Sequence, residues 1–301
     1  MMMGSEKMNN SMEIEDKNIE KTKISLMRIL IEKQDPSSKE VEDGTLRRFL
    51  RARDLDVEKA SNMFLKYLNW KRNFVPNGSI SPSEIRHEIQ QNKMFLQGWD
   101  KKGRPIALLL AARHFQHEGG VDEFKRTYFT FPTSTNSQNV LVDDDFEFSL
   151  TGFIVYLFDK IITRMPPGQE KFIVIGDLKG WGYANSDIRA YLAALSLVQD
   201  YYPERLEKLF VVHAPYIFMT AWKVVYPFID PKTRKKIIFV DNKSLKSTLL
   251  EEIDESQLPA TLGGKLELYG ILKGELNHTF FTPCMYVHCH VAWTKPYGEN
   301  R

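Results

Sequence analysis

Two concentrations of fixed positive charge are the residues best suited to chemistry. Lys232, Arg234, Lys235 and Lys236 follow Asp230-Pro231 with only Thr233 between them. Arg48, Arg51 and Arg53 sit among Leu46, Phe49 and Leu50, an i, i+3, i+4 apolar stripe. Clustered ammonium and guanidinium groups neutralise phosphate, and the bland alternative for either group is a solvated face. An arginine on the inner side of a helix is costly to bury alone and calls for an acidic or phosphate partner. Catalytic groups are sparser. His213 and Asp177 fall near strand ends, but no G-x-S-x-G nucleophile elbow accompanies them, which reads them as structural. Gly180-Trp181-Gly182 begins a dinucleotide-type glycine motif whose third position is Asn185, so an oxidoreductase is only a remote alternative. Cys284, His288, Cys289 and His290 carry metal-binding atoms at no recognised zinc spacing, and no metal site is expected.

The elements that must position these groups read as helices first and alternating strands and helices later. Ile24, Leu26, Met27, Ile29, Leu30 and Ile31 predict a short helix over 23–32, behind a flexible, solvated tail at 1–22. Asp56 can cap a second long helix, and Ser81-Pro82-Ser83-Glu84 has the form of a capping box that starts another. Residues 23–95 therefore read as an all-helical unit. Beyond Gly98–Pro105, a turn-rich stretch, Ile106–Ala111, Phe172–Ile175, Leu209–Val212 and Ile237–Val240 are short apolar runs of the kind buried strands show. Between them run a helix with Ile188, Tyr191, Leu192, Leu195 and Val198 on one face and an aromatic-rich helix near 215–229. That alternation predicts a mainly parallel sheet.

The run Pro215–Ile229 is apolar nearly all round and interrupted by Pro227, so it needs a core, a lipid-filled cavity or a membrane surface about it. The net charge of +2 gives no argument for nucleic acid, and two cysteines give no disulfide framework. No apolar run approaches the ~20 residues that span a bilayer, and the polar N-terminus lacks a secretory pattern. A cytoplasmic protein with only peripheral membrane contact is the expectation.

Seven motifs occur in order: Leu46-Arg-Arg-Phe-Leu-Arg-Ala-Arg53, Gly98-x-Asp-x-x-Gly-Arg-Pro105, Asp177-Leu-Lys-Gly180, Tyr202-Pro-Glu-Arg205, His213-Ala-Pro215, Pro227-Phe-Ile-Asp-Pro231 and Leu262-Gly-Gly-Lys265. Together they resemble the CRAL-TRIO lipid-transfer family. The resemblance implies a helical unit at 23–95 packed on an α/β lipid-binding domain at 96–268. It implies one phospholipid in a gated pocket, transferred or presented between membranes, with no catalysis and no cofactor. In members that bind phosphatidylinositol, the headgroup positions map to Arg53, Glu204, Thr233 and Lys236. The gate maps to the run holding Phe218, Met219, Trp222, Val225 and Tyr226. Expected partners are the lipid, a transient membrane surface and a lipid kinase or trafficking protein, with the chain itself a monomer. A non-transferring sensor or scaffold remains the alternative.

Three departures accompany the resemblance. Phe172 and Val174 occupy strand positions where phosphatidylcholine-binding members carry small hydroxyl residues, which demotes that lipid. Residues 127–152 read as an inserted loop interrupting the start of a core helix. Residues 269–301 form an atypical C-terminal tail.

Overall fold

The computed structural model describes residues 3–114 and 144–270. The chain opens with α1 (Met3–Gln34), α2 (Asp43–Ala52) and α3 (Val57–Phe74). Their apolar stripes meet in a core of Ile24, Met27, Ile31, Leu46, Phe49, Leu50, Ala60, Met63 and Phe64, with Phe49 edge-on to Phe64 at 5.1 Å. Asp56 caps α3 as expected, accepting from Lys59 N at 3.0 Å.

Two local readings are corrected here. The tail expected over 1–22 is helical from Met3, continuous with the packed helix. Residues 3–22 carry helix-forming Glu, Lys and Met, one glycine and no proline, so they sustain a helix without the apolar stripe that marks packing. Half of the Ser81–Glu84 box forms, Ser81 N donating to Glu84 Oε2 at 2.7 Å while the Ser81 hydroxyl meets Ser83, but what it holds is a turn. The helix that follows, α4, spans only Arg86–Gln90.

The helical reading of 23–95 ends early, at β1 (Met94–Trp99). This strand pairs antiparallel with β2 (Pro105–Leu110), beside which β3 (Phe172–Asp177), β4 (Leu206–Val212) and β5 (Ile237–Phe239) lie parallel in the order 1-2-3-4-5. Where spatial order equals chain order, parallel crossovers of one common hand, which is the rule for such units, place every connecting helix on one face. Those helices are α5 (Asp144–Thr163), α6 (Ile188–Tyr201), α7 (Phe218–Val225) and the single turn α8 (Pro231–Arg234). The other face carries Ile106, Leu108, Ile173, Ile175, Phe210 and Val212, covered by Leu249 and Ile253 of and after α9 (Leu245–Glu252), with Leu258 and Leu262.

The insertion expected over 127–152 is shortened. From Asp144 its residues already belong to α5, whose acidic start suits a helix N-terminus. Residues 127–143 lie outside the described residues, as do those from 271 onward, including the Cys284–His290 group.

Charge fixes the N-terminal edge of the sheet. Arg104 is buried and contacts Asp100 at 2.5 Å, Glu207 at 2.5 Å and Glu252 at 3.0 Å, while Lys208 also donates to Glu252. The Lys208 hydrogen bond, opposed by partial burial and aided by the Lys208 and Arg104 charges, holds the Glu252 carboxyl below its ordinary range. A depressed folded-state value stabilises the fold above the unfolded value, and that contribution is lost as pH falls through the folded one. Glu252→Gln should therefore flatten the fall of Tm below about pH 5. Parallel wild-type and variant curves in a pH-scanned thermal melt would contradict this. A second expectation concerns Gly264, where an added Cβ would lie 2.0 Å from the Leu258 carbonyl oxygen, itself bonded to Leu266 N. Gly264→Ala should cost about 2–3 kcal/mol, read as a lower urea midpoint.

Candidate lipid-binding cavity

Because side chains alternate across a strand, the face opposite the α9 core presents its own set of residues to α5, α6 and α7. One register row crosses all five strands: Leu96, Ala107, Val174, Leu209 and Ile237. All five line a cavity of about 930 Å³. Phe153, Leu157 and Ile161 of α5, Leu195 and Val198 of α6, and Trp222 and Val225 of α7 form its walls. This face packs on its helices in two small clusters, one about Ala107, Ile161 and Phe172 and one about Ala111, Val211 and Ala221, and the cavity fills the rest of the space between sheet and helices.

The cavity turns polar at the N-terminal edge of the sheet, where Arg53, Glu204, Thr233 and Lys236 all line it. Each reaches this place by a different device. Arg53 is the residue that closes α2, and the next two residues, Asp54 and Leu55, both take the left-handed conformation (φ 52° and 63°). Glu204 stands just before β4, also left-handed at φ 58°, a strained conformation that surrounding contacts must maintain. Asp230 accepts from Lys232 N at 2.7 Å and caps the turn α8, which sets Thr233 and then Lys236 ahead of β5.

Lys236 Nζ lies 3.7 Å from Glu204 Oε2, close enough for attraction but beyond a hydrogen bond. The Arg53 guanidinium donates to the Ala52 carbonyl at 3.2 Å, and no carboxylate pairs with it among the described residues. The mouth therefore presents one arginine with donors to spare opposite a loose ion pair. An anion can be taken up there with little rearrangement.

Other members of the basic clusters are engaged within the protein. Lys232 bridges Asp54 at 2.6 Å and the Arg51 carbonyl at 3.0 Å, tying α8 to the turn that carries Arg53. Arg234 donates to the Ile229 and Pro227 carbonyls and covers the Tyr226 ring at 4.3 Å. Arg51 pairs with Glu20, and the half-buried Arg48 has the acidic partner it needs in Glu170, at 3.0 Å. The motif reading missed Arg205, which lines the cavity and donates to the Glu170 carbonyl. Burial, then the neighbouring Arg48 charge, brings its guanidinium down to about 10, which leaves it charged at neutral pH. Its place directly after Glu204 was the available signal.

The aromatic run divides by face. Trp222 and Val225 point into the cavity, Phe218 packs edge-on against Trp181 at 5.3 Å, and Met219 and Tyr226 are exposed. The α-helix ends at Val225, and Pro227 lies in a short 3-10 turn over Tyr226–Phe228. Phe172 and Val174 both line the cavity and give it no hydroxyl group.

The rival chemistries find different roles. His213 Nδ1 lies 2.8 Å from Asp177 Oδ1, which also accepts from Lys179 N, so the pair braces the turn after β3. Trp181 of the partial glycine motif is buried and donates to the Tyr191 hydroxyl, and α6 begins only at Ile188. A phosphate loop would need that helix to open directly from its glycines. Among the described residues, no group of three or more His, Cys, Asp or Glu side chains is placed to hold a metal ion, and no helix is long and apolar enough to cross a membrane.

Comparison with known proteins agrees with this arrangement. The CRAL/TRIO domain model matches residues 89–264, and the CRAL/TRIO N-terminal domain model matches residues 23–66. The chain is similar to the CRAL-TRIO domain-containing protein YKL091C of Saccharomyces cerevisiae, 31% identical over 264 residues, covering 84% of this chain and 80% of that protein. The Sec14 cytosolic factor of Schizosaccharomyces pombe is 30% identical over 243 residues, covering 76% and 77%. The phosphatidylinositol/phosphatidylcholine transfer protein SFH12 of Arabidopsis thaliana is 32% identical over 223 residues, covering 72% of this chain and 38% of that protein. The crystal structure of Sfh5 superposes with a TM-score of 0.56 at 17% identity, over 86% of this chain and 97% of that one, a likeness of fold.

The alternation of faces gives a direct test. Val174 points into the cavity and its neighbour Ile175 into the filled core. Val174→Trp should fill empty space, keeping the fold while uptake of a pyrene-labelled phospholipid drops roughly tenfold or more. Ile175→Trp should overpack the core and cost about 1–3 kcal/mol. Equal destabilisation by the two variants would contradict a cavity on one face.

Proposed function

The chain belongs to the CRAL/TRIO family, and from that premise we propose that it encloses one phospholipid and carries or presents it between membranes without altering it. The observation that carries the proposal is the division of the cavity into an apolar floor and a charged mouth. Acyl chains laid along Leu96, Ala107, Val174, Leu209 and Ile237 leave water, a gain of about 25 cal/mol per Å² of apolar surface. A cavity of 930 Å³ lies near the top of the range for small-molecule sites, as a two-chain lipid requires.

The headgroup sits at the mouth. Arg53 neutralises its phosphate, Lys236 adds a second positive charge, Thr233 offers a hydroxyl donor, and Glu204 accepts from ring hydroxyls. That set of donors and acceptors suits phosphatidylinositol better than choline, which has no hydroxyl for Glu204 to receive. The apolar Phe172 and Val174 weigh the same way. The name of SFH12, a phosphatidylinositol/phosphatidylcholine transfer protein, supports a phospholipid ligand without choosing between the two, and the names of the cytosolic factors support the compartment.

Delivery needs contact with a bilayer, and the surroundings of the mouth are suited to it. Tyr216, Tyr226 and Phe228 are exposed beside Lys223 and Lys235, aromatic and basic groups that favour an anionic interface. The run 215–229 would act as the gate. A monomer working transiently on membranes, alone or with a lipid kinase or trafficking partner, follows from this reading.

A vesicle-to-vesicle assay with radiolabelled phosphatidylinositol tests it. Wild type should transfer the lipid, and Arg53→Ala and Lys236→Ala should each reduce transfer about tenfold or more, the loss expected for a hydrogen bond to a charged group. Transfer undiminished in both variants would contradict the headgroup assignment. Stoichiometric binding without transfer would favour presentation over carriage.

A further inference from the structure

The cavity has a second polar end. Parallel strands place Glu204 and Lys236 at the N-terminal edge of the sheet, whereas Lys93 and His114 lie at the C-terminal edge. Leu110 N donates to the Lys93 carbonyl at 2.7 Å, which fixes Lys93 beside the end of β2, and His114 follows β2 by four residues. The edges are separated by about six strand residues, on the order of 20 Å. Both side chains line the cavity and both are buried, at 3% and 6% exposure.

Their bonding leaves donors over. Lys93 donates to the buried Glu88 carboxylate and to His114 Nδ1 at 3.1 Å, and stands over the Phe153 ring at 5.2 Å. An ammonium can only donate, so Nδ1 is the acceptor and the imidazole proton sits on Nε2. That Nε2 is buried, forms no hydrogen bond, and lies 3.6 Å from Asp187 Oδ2. Asp187 caps α6 with its other oxygen, Oδ1 accepting from Ala190 N at 2.9 Å, so Oδ2 attracts the imidazole from a little beyond hydrogen-bond distance. Nε2–H of His114 thus has no acceptor at hydrogen-bond distance among the described residues, the nearest being Asp187 Oδ2, and Lys93 has a third N–H beyond the two bonds it makes. Buried donors in that condition are rare because each forfeits a bond it had in water.

We propose that Lys93 and His114 form a second polar subsite, which takes a neutral oxygen carried near the far end of the ligand's acyl chain. The charge count selects the oxygen. Glu88 and Asp187 contribute two negative charges, Lys93 one positive, and the neutral imidazole none, with Arg189 adding its field at Asp187. A further anion would enter against the two carboxylates in a site too dry to screen them, whereas a hydroxyl or carbonyl oxygen adds no charge. Burial lowers the Lys93 ammonium's own proton affinity, in keeping with a cation held short of partners. The ligand class implied is an amphiphile with an oxygen-bearing tail, its two polar ends separated by the apolar row of the floor. This subsite rests on the cavity being a lipid site but not on which headgroup fills the mouth.

Three single-chain probes without phosphate or inositol test it: methyl hexadecanoate, its terminal-hydroxy counterpart, and hexadecanedioic acid monomethyl ester. In native mass spectrometry titrations of the full chain at neutral pH, the hydroxy ester should bind about tenfold tighter than the plain ester, and the anionic half-ester no tighter. His114→Phe should abolish the preference. Lys93→Met alone would strand Glu88, so the paired change Glu88→Gln with Lys93→Met serves as the second variant and should abolish it too. Equal affinities for hydroxy and plain esters overturn the subsite, as does a preference that survives both variants. Uptake of neither ester overturns it as well, by removing the lipid cavity on which it depends. Loss of the phosphatidylinositol transfer assignment alone would leave the ester result standing.

Discussion

The rest of this structure depends on a sheet face that its helices pack against only in part, leaving a cavity between them. Ile106, Leu108, Ile173 and Ile175 interlock with Leu249, Ile253, Leu258 and Leu262 in the way buried sheets ordinarily do. Their neighbours in sequence, Ala107, Val174 and Leu209, border a cavity of about 930 Å³ as well as smaller apolar clusters. Proteins pack their interiors to crystal density, so an apolar void of that size is unfavourable unless something occupies it. The single winding of the sheet keeps α5, α6 and α7 on that side as walls. A lipid's acyl chains satisfy the constraint, and only at the two edges of the sheet does the wall become polar.

The mouth is assembled from two parts of the chain that fold around different cores. Arg53 belongs to the helical unit, while Glu204, Thr233 and Lys236 belong to the sheet domain. Their spacing depends on contacts that bridge the two. Arg48 pairs with Glu170, the rings of Trp70 and Tyr201 stack at 4.0 Å, and Lys232 reaches back to Asp54 and the Arg51 carbonyl. The exposed Lys232–Asp54 pair adds little stability of its own, but it joins the strained turn behind Arg53 to the turn before Lys236. Several charges that read as phosphate ligands in the sequence are therefore parts of the frame that holds the mouth together.

Much of the fold was legible because its signals are strong where burial is complete. The runs beginning at Phe172 and Leu209 are continuous and apolar, and the stripe on α6 repeats at helical spacing, so their types followed directly. β1 was hidden because its apolar run is only Met94, Phe95 and Leu96, too short to show a period before Gln97 and Gly98 end it. The first half of α1 was hidden for the opposite reason, since propensity alone forms it and no apolar stripe announces it. At the site, charge type was readable but partnership was not. All three of Lys232, Arg234 and Lys236 line the cavity, but nothing in the run indicates that Lys232 and Arg234 are bonded to backbone carbonyls and Asp54 while Lys236 has only a loose partner in Glu204. Lys93 and His114 stand 21 residues apart and converge only when β1 folds back along β2, which is why the inner polar end left no motif.

The central claim is that this chain holds one phospholipid, and the most direct measurement is native mass spectrometry of the gently purified full-length protein, followed by denaturing release and identification of what it carried. The account predicts a single added mass per chain that resolves to a phospholipid, with phosphatidylinositol foremost. A folded protein that arrives empty, and stays empty after incubation with phospholipid vesicles, would contradict it.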